Sequence, residues 1–160
     1  MSQTRFINPQ ALSRPPGYTH VVEVTAPARI VYIAGQLGVD GDGKVVGDFR
    51  RQAVQTFENL KTALAAVGAQ FRHVVKLNNY LVDRAHLPTF REVRDSYLAE
   101  NDRPASTTIA ISGLAREGAL IEIEAVAVLP AAARAKTASK SAGKAPSARS
   151  PKRRARAKRR

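Results

Sequence analysis

The chain has 160 residues, 44% of them hydrophobic, no cysteine, and a formal charge of +13. That length suits one domain with its own core, and no apolar run is long enough to cross a bilayer, so a membrane partner is not expected. The missing cysteines exclude disulfides, thiol catalysis and cysteine-ligated metals, and they fit a reducing cytoplasm. Of the 26 Lys and Arg residues, 12 lie in residues 131–160, which hold no acid; residues 1–130 keep 14 basic against 13 acidic residues. The basicity therefore belongs to a tail, and the body is a near-neutral domain.

The opening segment, Met1-Ser2-Gln3-Thr4-Arg5-Phe6-Ile7, lacks the apolar stretch of a secretory leader. Residues 20–25 and 29–33 are β-rich runs split by the turn-like Ala26-Pro27-Ala28. After a polar loop around Gly41 and Gly43, Asp48 is placed to cap a helix. Its apolar residues Ala53, Phe57, Leu60 and Leu64 share one face, and Gly68 marks its stop. Residues 74–82 read as a strand. Pro88 suits the first turn of a second helix, with Phe90, Val93, Tyr97 and Leu98 on one stripe. Residues 107–112 and 119–129 read as the last two strands. In the final one Glu122 and Glu124 alternate with Ile121, Ile123 and Ala125, so period two puts both carboxylates on one face.

The order ββαβαββ predicts an α+β domain over residues 1–130: one mixed β-sheet with two helices packed on one face. Nothing in the body is left over to cover the other face, so self-association is expected. Residues 131–160 are rich in Ala, Lys, Arg, Ser, Pro and Gly and cannot bury enough apolar surface to offset ordering entropy. They are expected to form a disordered C-terminal tail.

Several motifs fail on their own chemistry. Gly38-Val39-Asp40-Gly41-Asp42-Gly43-Lys44-Val45 approaches a phosphate loop, but Val45 offers no hydroxyl and the two aspartates would repel phosphate. The same aspartates lack the twelfth-position glutamate of a calcium loop. His20, His73 and His86 have no paired-ligand spacing, so no metal site is expected. Glu122 and Glu124 are the candidates for chemistry. A carboxylate in an apolar strand is costly unless paired, exposed or functional, and one that lines a cleft suits proton transfer. The plain alternative is an amphipathic strand with its carboxylates in solvent.

Arg103-Pro104-Ala105-Ser106-Thr107-Thr108-Ile109, followed by Leu120-Ile121-Glu122-Ile123-Glu124-Ala125, resembles the signature of the Rid/YjgF family, small trimeric proteins that hydrolyse reactive imines. The resemblance runs over residues 16–128. Gly17-Tyr18 is similar to the family's early Pro-Tyr, and Ile33-Ala34-Gly35-Gln36 to its Ser-Gly-Gln segment. It implies a chorismate-mutase-like fold, a homotrimer, and clefts built from two chains that take a small imine, enamine or carbonyl metabolite without a cofactor. It also implies a catalytic role for Glu122 in positioning water, closure of the cleft by Tyr18, and hydrogen bonds from the backbone at Ala34 and Gly35.

Three departures bear on that activity. Ser106 stands where the family's arginine clamps the substrate carboxylate, Ala34 replaces a serine, and Arg94 stands where the resemblance implies asparagine on the second helix. Losing a buried guanidinium–carboxylate contact typically removes about 2–5 kcal/mol of binding. The resemblance therefore implies imine hydrolysis that is weak, altered or lost. Arg94 and Arg103 are candidate substitute anchors, and Arg94 as a solvated helix charge is the plain alternative. A second functional class is non-specific binding of RNA or DNA through residues 131–160. It would be salt-dependent, and it would lack base stacking because the tail has no aromatic residue.

Overall fold

The computed structural model describes residues 4–25 and 28–131. The expected tail lies outside the described residues. Two short strands, β1 (Thr4–Ile7) and β2 (Val21–Val24), pair antiparallel as a separate ribbon. The main sheet holds β3 (Ala28–Leu37), β4 (Val74–Leu81), β5 (Ala105–Ala110) and β6 (Ile121–Pro130) in the order β3-β6-β4-β5. It is mixed: β4 and β5 run parallel, and the other neighbours are antiparallel. The parallel pair needs a crossover, which the helix between those strands supplies.

Helix α1 (Phe49–Ala65) starts where the sequence places it. The Asp48 side chain accepts from the Arg51 N–H at 3.0 Å, satisfying one of the free donors of the first turn. Ala53, Phe57, Leu60 and Leu64 are all buried, as their spacing requires. The chain leaves the helix through Gly68, whose φ of 71° is a conformation that glycine adopts without strain. Helix α2 (Leu87–Tyr97) carries Pro88 in its first turn and buries Phe90 and Val93.

Both helices lie on one face of the sheet. Phe57 stacks on Tyr97 at 4.9 Å between ring centroids, and Leu77, Leu81, Ile121 and Ile123 rise from the sheet into the same core. Gln52 is the polar member of this layer. Its side-chain amide donates to the Gly118 carbonyl at 3.1 Å and accepts from the Leu120 N–H at 2.8 Å, fastening the turn before β6 onto α1. Gly38 is required beside it, because a Cβ there would lie 2.5 Å from the Gln52 backbone.

Three sequence expectations are corrected. Residues 20–25 do not join the main sheet; their strand pairs with β1, which the sequence pattern did not reveal. β5 begins two residues earlier than expected, at Ala105 rather than Thr107, and β6 two residues later, at Ile121 rather than Ala119. Local patterning marks extended backbone but not its partner.

The second face of the sheet is left uncovered by the described residues, as expected. Tyr32 is 79% exposed there, and Ile30 and Ile109 are also open to solvent. Glu122, Glu124, Asn78 and Tyr80 share this face in cross-strand register.

Candidate functional site

The expected site residues form two groups on opposite faces of one sheet. The first is on the open face. Between Ile33 and Gln36 the pairing of β3 with β6 slips, so that Ala34 and Gly35 together oppose Glu124 as a β-bulge. The bulge brings the Gly35 backbone under the Glu122 carboxyl group: a Cβ on Gly35 would sit 1.7 Å from Glu122 Oε1. Glycine is needed because the acid occupies that space. The Glu122 carboxylate makes no hydrogen bond within the described residues, whereas that of Glu124 accepts from Asn78 Nδ2 and the Tyr80 hydroxyl, each at 3.2 Å. Burial, with the nearby Glu124 charge, pushes the Tyr80 hydroxyl above its ordinary pKa, so it acts as a donor. Of the two carboxylates, Glu122 is the one left free for a ligand or water.

The second group lies at the free edge of the sheet, in a groove of about 390 Å³ between β5 and α2. Tyr18, Arg94 and Ser106 line it together, with Pro16, Arg84 and Arg91. Ser106 pairs in register with Leu77, a core residue, which puts it on the helix-covered face. Its hydroxyl oxygen accepts from Asn79 Nδ2 at 2.9 Å, and the same amide donates to Thr108 Oγ1 at 3.1 Å. Asn79 is only 1% exposed, so this amide fixes the floor of the groove.

Arg94 is not a solvated helix charge. It is 4% exposed, its Nε and Nη2 both reach Asp95 Oδ1 at 2.8 Å, and its guanidinium carbon lies 5.7 Å from the Phe90 ring centroid. Gly17, with φ of 109°, allows this burial; a Cβ there would lie 2.2 Å from Arg94 Nη2. Arg103 donates to the same Asp95 carboxylate and, at 3.5 Å, to the Gly17 carbonyl, and it does not line the Ser106 groove. Burial would raise the Asp95 pKa, but the two guanidinium partners outweigh it and hold the carboxyl below its ordinary range.

Ser106 and Glu122 therefore do not meet within one chain. Sequence reasoning missed Arg84, Arg91 and Asn79. A signal was present for the arginines: positions 84, 91 and 94 recur at helical spacing, seven and three apart. The histidines each have a structural setting. His86 stacks on Phe49 at 4.1 Å, His20 packs edge-on against Tyr18, and His73 Nδ1 accepts from the Gln70 N–H.

The chain is a two-layer α+β domain with one sheet face left bare by the described residues, a bulge under the Glu122 carboxyl group, and a polar groove at the sheet edge. The family model described as Endoribonuclease L-PSP matches residues 10–129, and the chain belongs to this family, the Rid/YjgF proteins. Protein DfrA of Myxococcus xanthus is 36% identical over 69% of this chain and 84% of its own length. A 2-iminobutanoate/2-iminopropanoate deaminase of Dermatophagoides farinae is 30% identical over 81% and 99%. Among solved structures, the Rid-family protein YyfB of Yersinia pestis superposes with a TM-score of 0.74 at 34% identity, over 80% of this chain and all of that one. No helix among the described residues is long and apolar enough to cross a membrane.

Proposed function

We propose that this protein is a cytoplasmic homotrimer that binds small imine, enamine or carbonyl metabolites in clefts between subunits and hydrolyses imines with an altered preference. The observation that carries this reading is the division of the site. Glu122 and Gly35 stand on the open sheet face, while Tyr18, Arg94 and Ser106 line a groove that opens on the other side of the sheet edge. A second copy laid against the bare face would bring its own groove to the first copy's Glu122. In such a cleft Glu122 accepts a hydrogen bond from water and orients it toward the imine carbon. Water adds across the C=N bond, the nitrogen takes up the proton and leaves as ammonia, and the carbonyl compound remains. The reaction is a hydrolysis, balanced by water alone. The deaminase relatives support it as a reaction class, and Ser106 in place of the clamp arginine sets it apart in preference.

Hydrolysis of enzymatically generated 2-imino acids tests the reading. Turnover that Glu122→Ala abolishes supports it. No turnover by the unaltered chain would refute the hydrolysis, and none by Ser106→Arg either would refute the cleft as well. A second reading rests on the 12 basic residues of 131–160: non-specific binding to RNA or DNA. Affinity at low salt that survives removal of residues 131–160 would rule it out.

A further inference from the structure

We infer that Arg84, Arg91 and Arg94 take over the anion-binding task missing at Ser106, and that they select small acids bearing two anionic groups. The inference rests on the cleft reading above and adds the chemical class of its ligand. Three arginines line the groove beside Ser106, and no carboxylate lines it. The Arg84 and Arg91 side chains are exposed and make no ion pair or hydrogen bond with any described residue. Arg94 is held differently. Asp95 takes its Nε and Nη2, while Nη1 makes no hydrogen bond to a described residue, so its orientation is fixed before any ligand arrives. Asp95 itself is shared with Arg103, so it does not neutralise the groove.

Arg91 and Arg94 stand three residues apart on α2, on neighbouring positions of the same helix surface. Arg84 opens the short 3₁₀ turn, Arg84–His86, that feeds directly into α2. Two unpaired guanidinium groups and one oriented one exceed what a single carboxylate needs. Each guanidinium fork matches one planar carboxylate or one phosphate group. A monoanion would leave at least one of these charges uncompensated, whereas a dianion would satisfy both unpaired arginines. At about 390 Å³ the groove is near the small end of ligand sites, which suits a short acid. Ser106 and Thr108 add hydroxyls at its floor, with Asn79 fixing their positions.

The test is calorimetric binding to the full chain of 2-oxopentanoate, 2-oxoglutarate and phosphoglycolate. These are one carboxylate, two carboxylates, and a carboxylate with a phosphate ester. The expected result is binding of one or both of the acids with two anionic groups about tenfold or more tighter than the monoanion, with the preferred one naming the second group. In the double variant Arg84→Gln/Arg91→Gln, whose side chains are exposed and outside the core, that preference falls to about twofold or less while the circular dichroism spectrum is unchanged. Equal binding of mono- and dianions would overturn the inference, as would a preference that the double variant keeps. If Glu122→Ala still abolishes imine turnover in either of those cases, the cleft reading survives the loss of this inference. If no acid of either charge binds and no imine is turned over, both fall together.

Discussion

The two faces of the main sheet obey different rules although they share the same four strands. On the covered face Leu77, Leu81, Ile121 and Ile123 are fully buried against Phe57 and Phe90, and beside that layer the side chain of Arg94 is buried on Asp95. On the open face, one residue along each strand, Tyr32 is exposed, Tyr80 and Asn78 serve Glu124, and the Glu122 carboxylate has no hydrogen bond to a described residue. The covered face is a finished core. The open face has no such cover among the described residues, and the proposed cleft would be built on it. Alternation along β6 builds both, and shifting that strand by one residue would exchange core for site.

The sharpest way to break the comparison is to truncate one aromatic on each side. Phe57→Ala should cost about 3–5 kcal/mol in urea unfolding, because a fully buried ring leaves a cavity. Tyr32→Ala should change the unfolding of an isolated subunit by about 0.5 kcal/mol or less but weaken self-association, read by sedimentation. Equal losses of stability would mean the faces are not distinct.

Gly35→Ala is next. The added methyl group would displace the Glu122 carboxyl group and not the core, so imine turnover should fall by about the 10²–10⁴ expected for removing a positioned acid–base group. The melting temperature should move little. Turnover that persists would show that Glu122 does not act from its place over Gly35.

A smaller effect comes from Asp48→Ala, which removes the cap of α1 and should destabilise by about 1 kcal/mol in the same unfolding assay. The smallest concerns pH. Asp95 is held below its ordinary value of 3.8, so its contribution is present above that pH and is lost as pH falls through the lower folded value. Asp95→Asn should flatten the acid limb of stability below about pH 4 and leave its shape near neutrality unchanged. An unchanged acid limb would show that the Arg94–Asp95–Arg103 cluster does not couple to folding.

Much of the fold was legible because it depends on local spacing. The Phe57 stripe, the Asp48 cap and the period-two run from Ile121 each state their own element. The partner of residues 20–25 was not legible, since a β-rich run does not name its neighbour. For the candidate site the sequence names residues but not their arrangement. Nothing local says that Ser106 and Glu122 face opposite ways; that follows from the register of β5 with Leu77 and of β6 with Tyr80. The burial of Arg94 was hidden for a similar reason. It depends on Gly17, 77 positions earlier in the chain, adopting a positive φ and leaving room for a guanidinium group.

Complementation tests the central claim, that a working site joins one chain's groove to another chain's Glu122. Tyr18→Ala and Glu122→Ala chains would be prepared separately, shown to be inactive, then unfolded and refolded together. The account predicts that imine turnover returns in the mixture, because some clefts pair an intact groove with an intact Glu122. A mixture as inactive as its parents, when the unaltered chain refolds to full turnover, would contradict it and place the whole site within one chain.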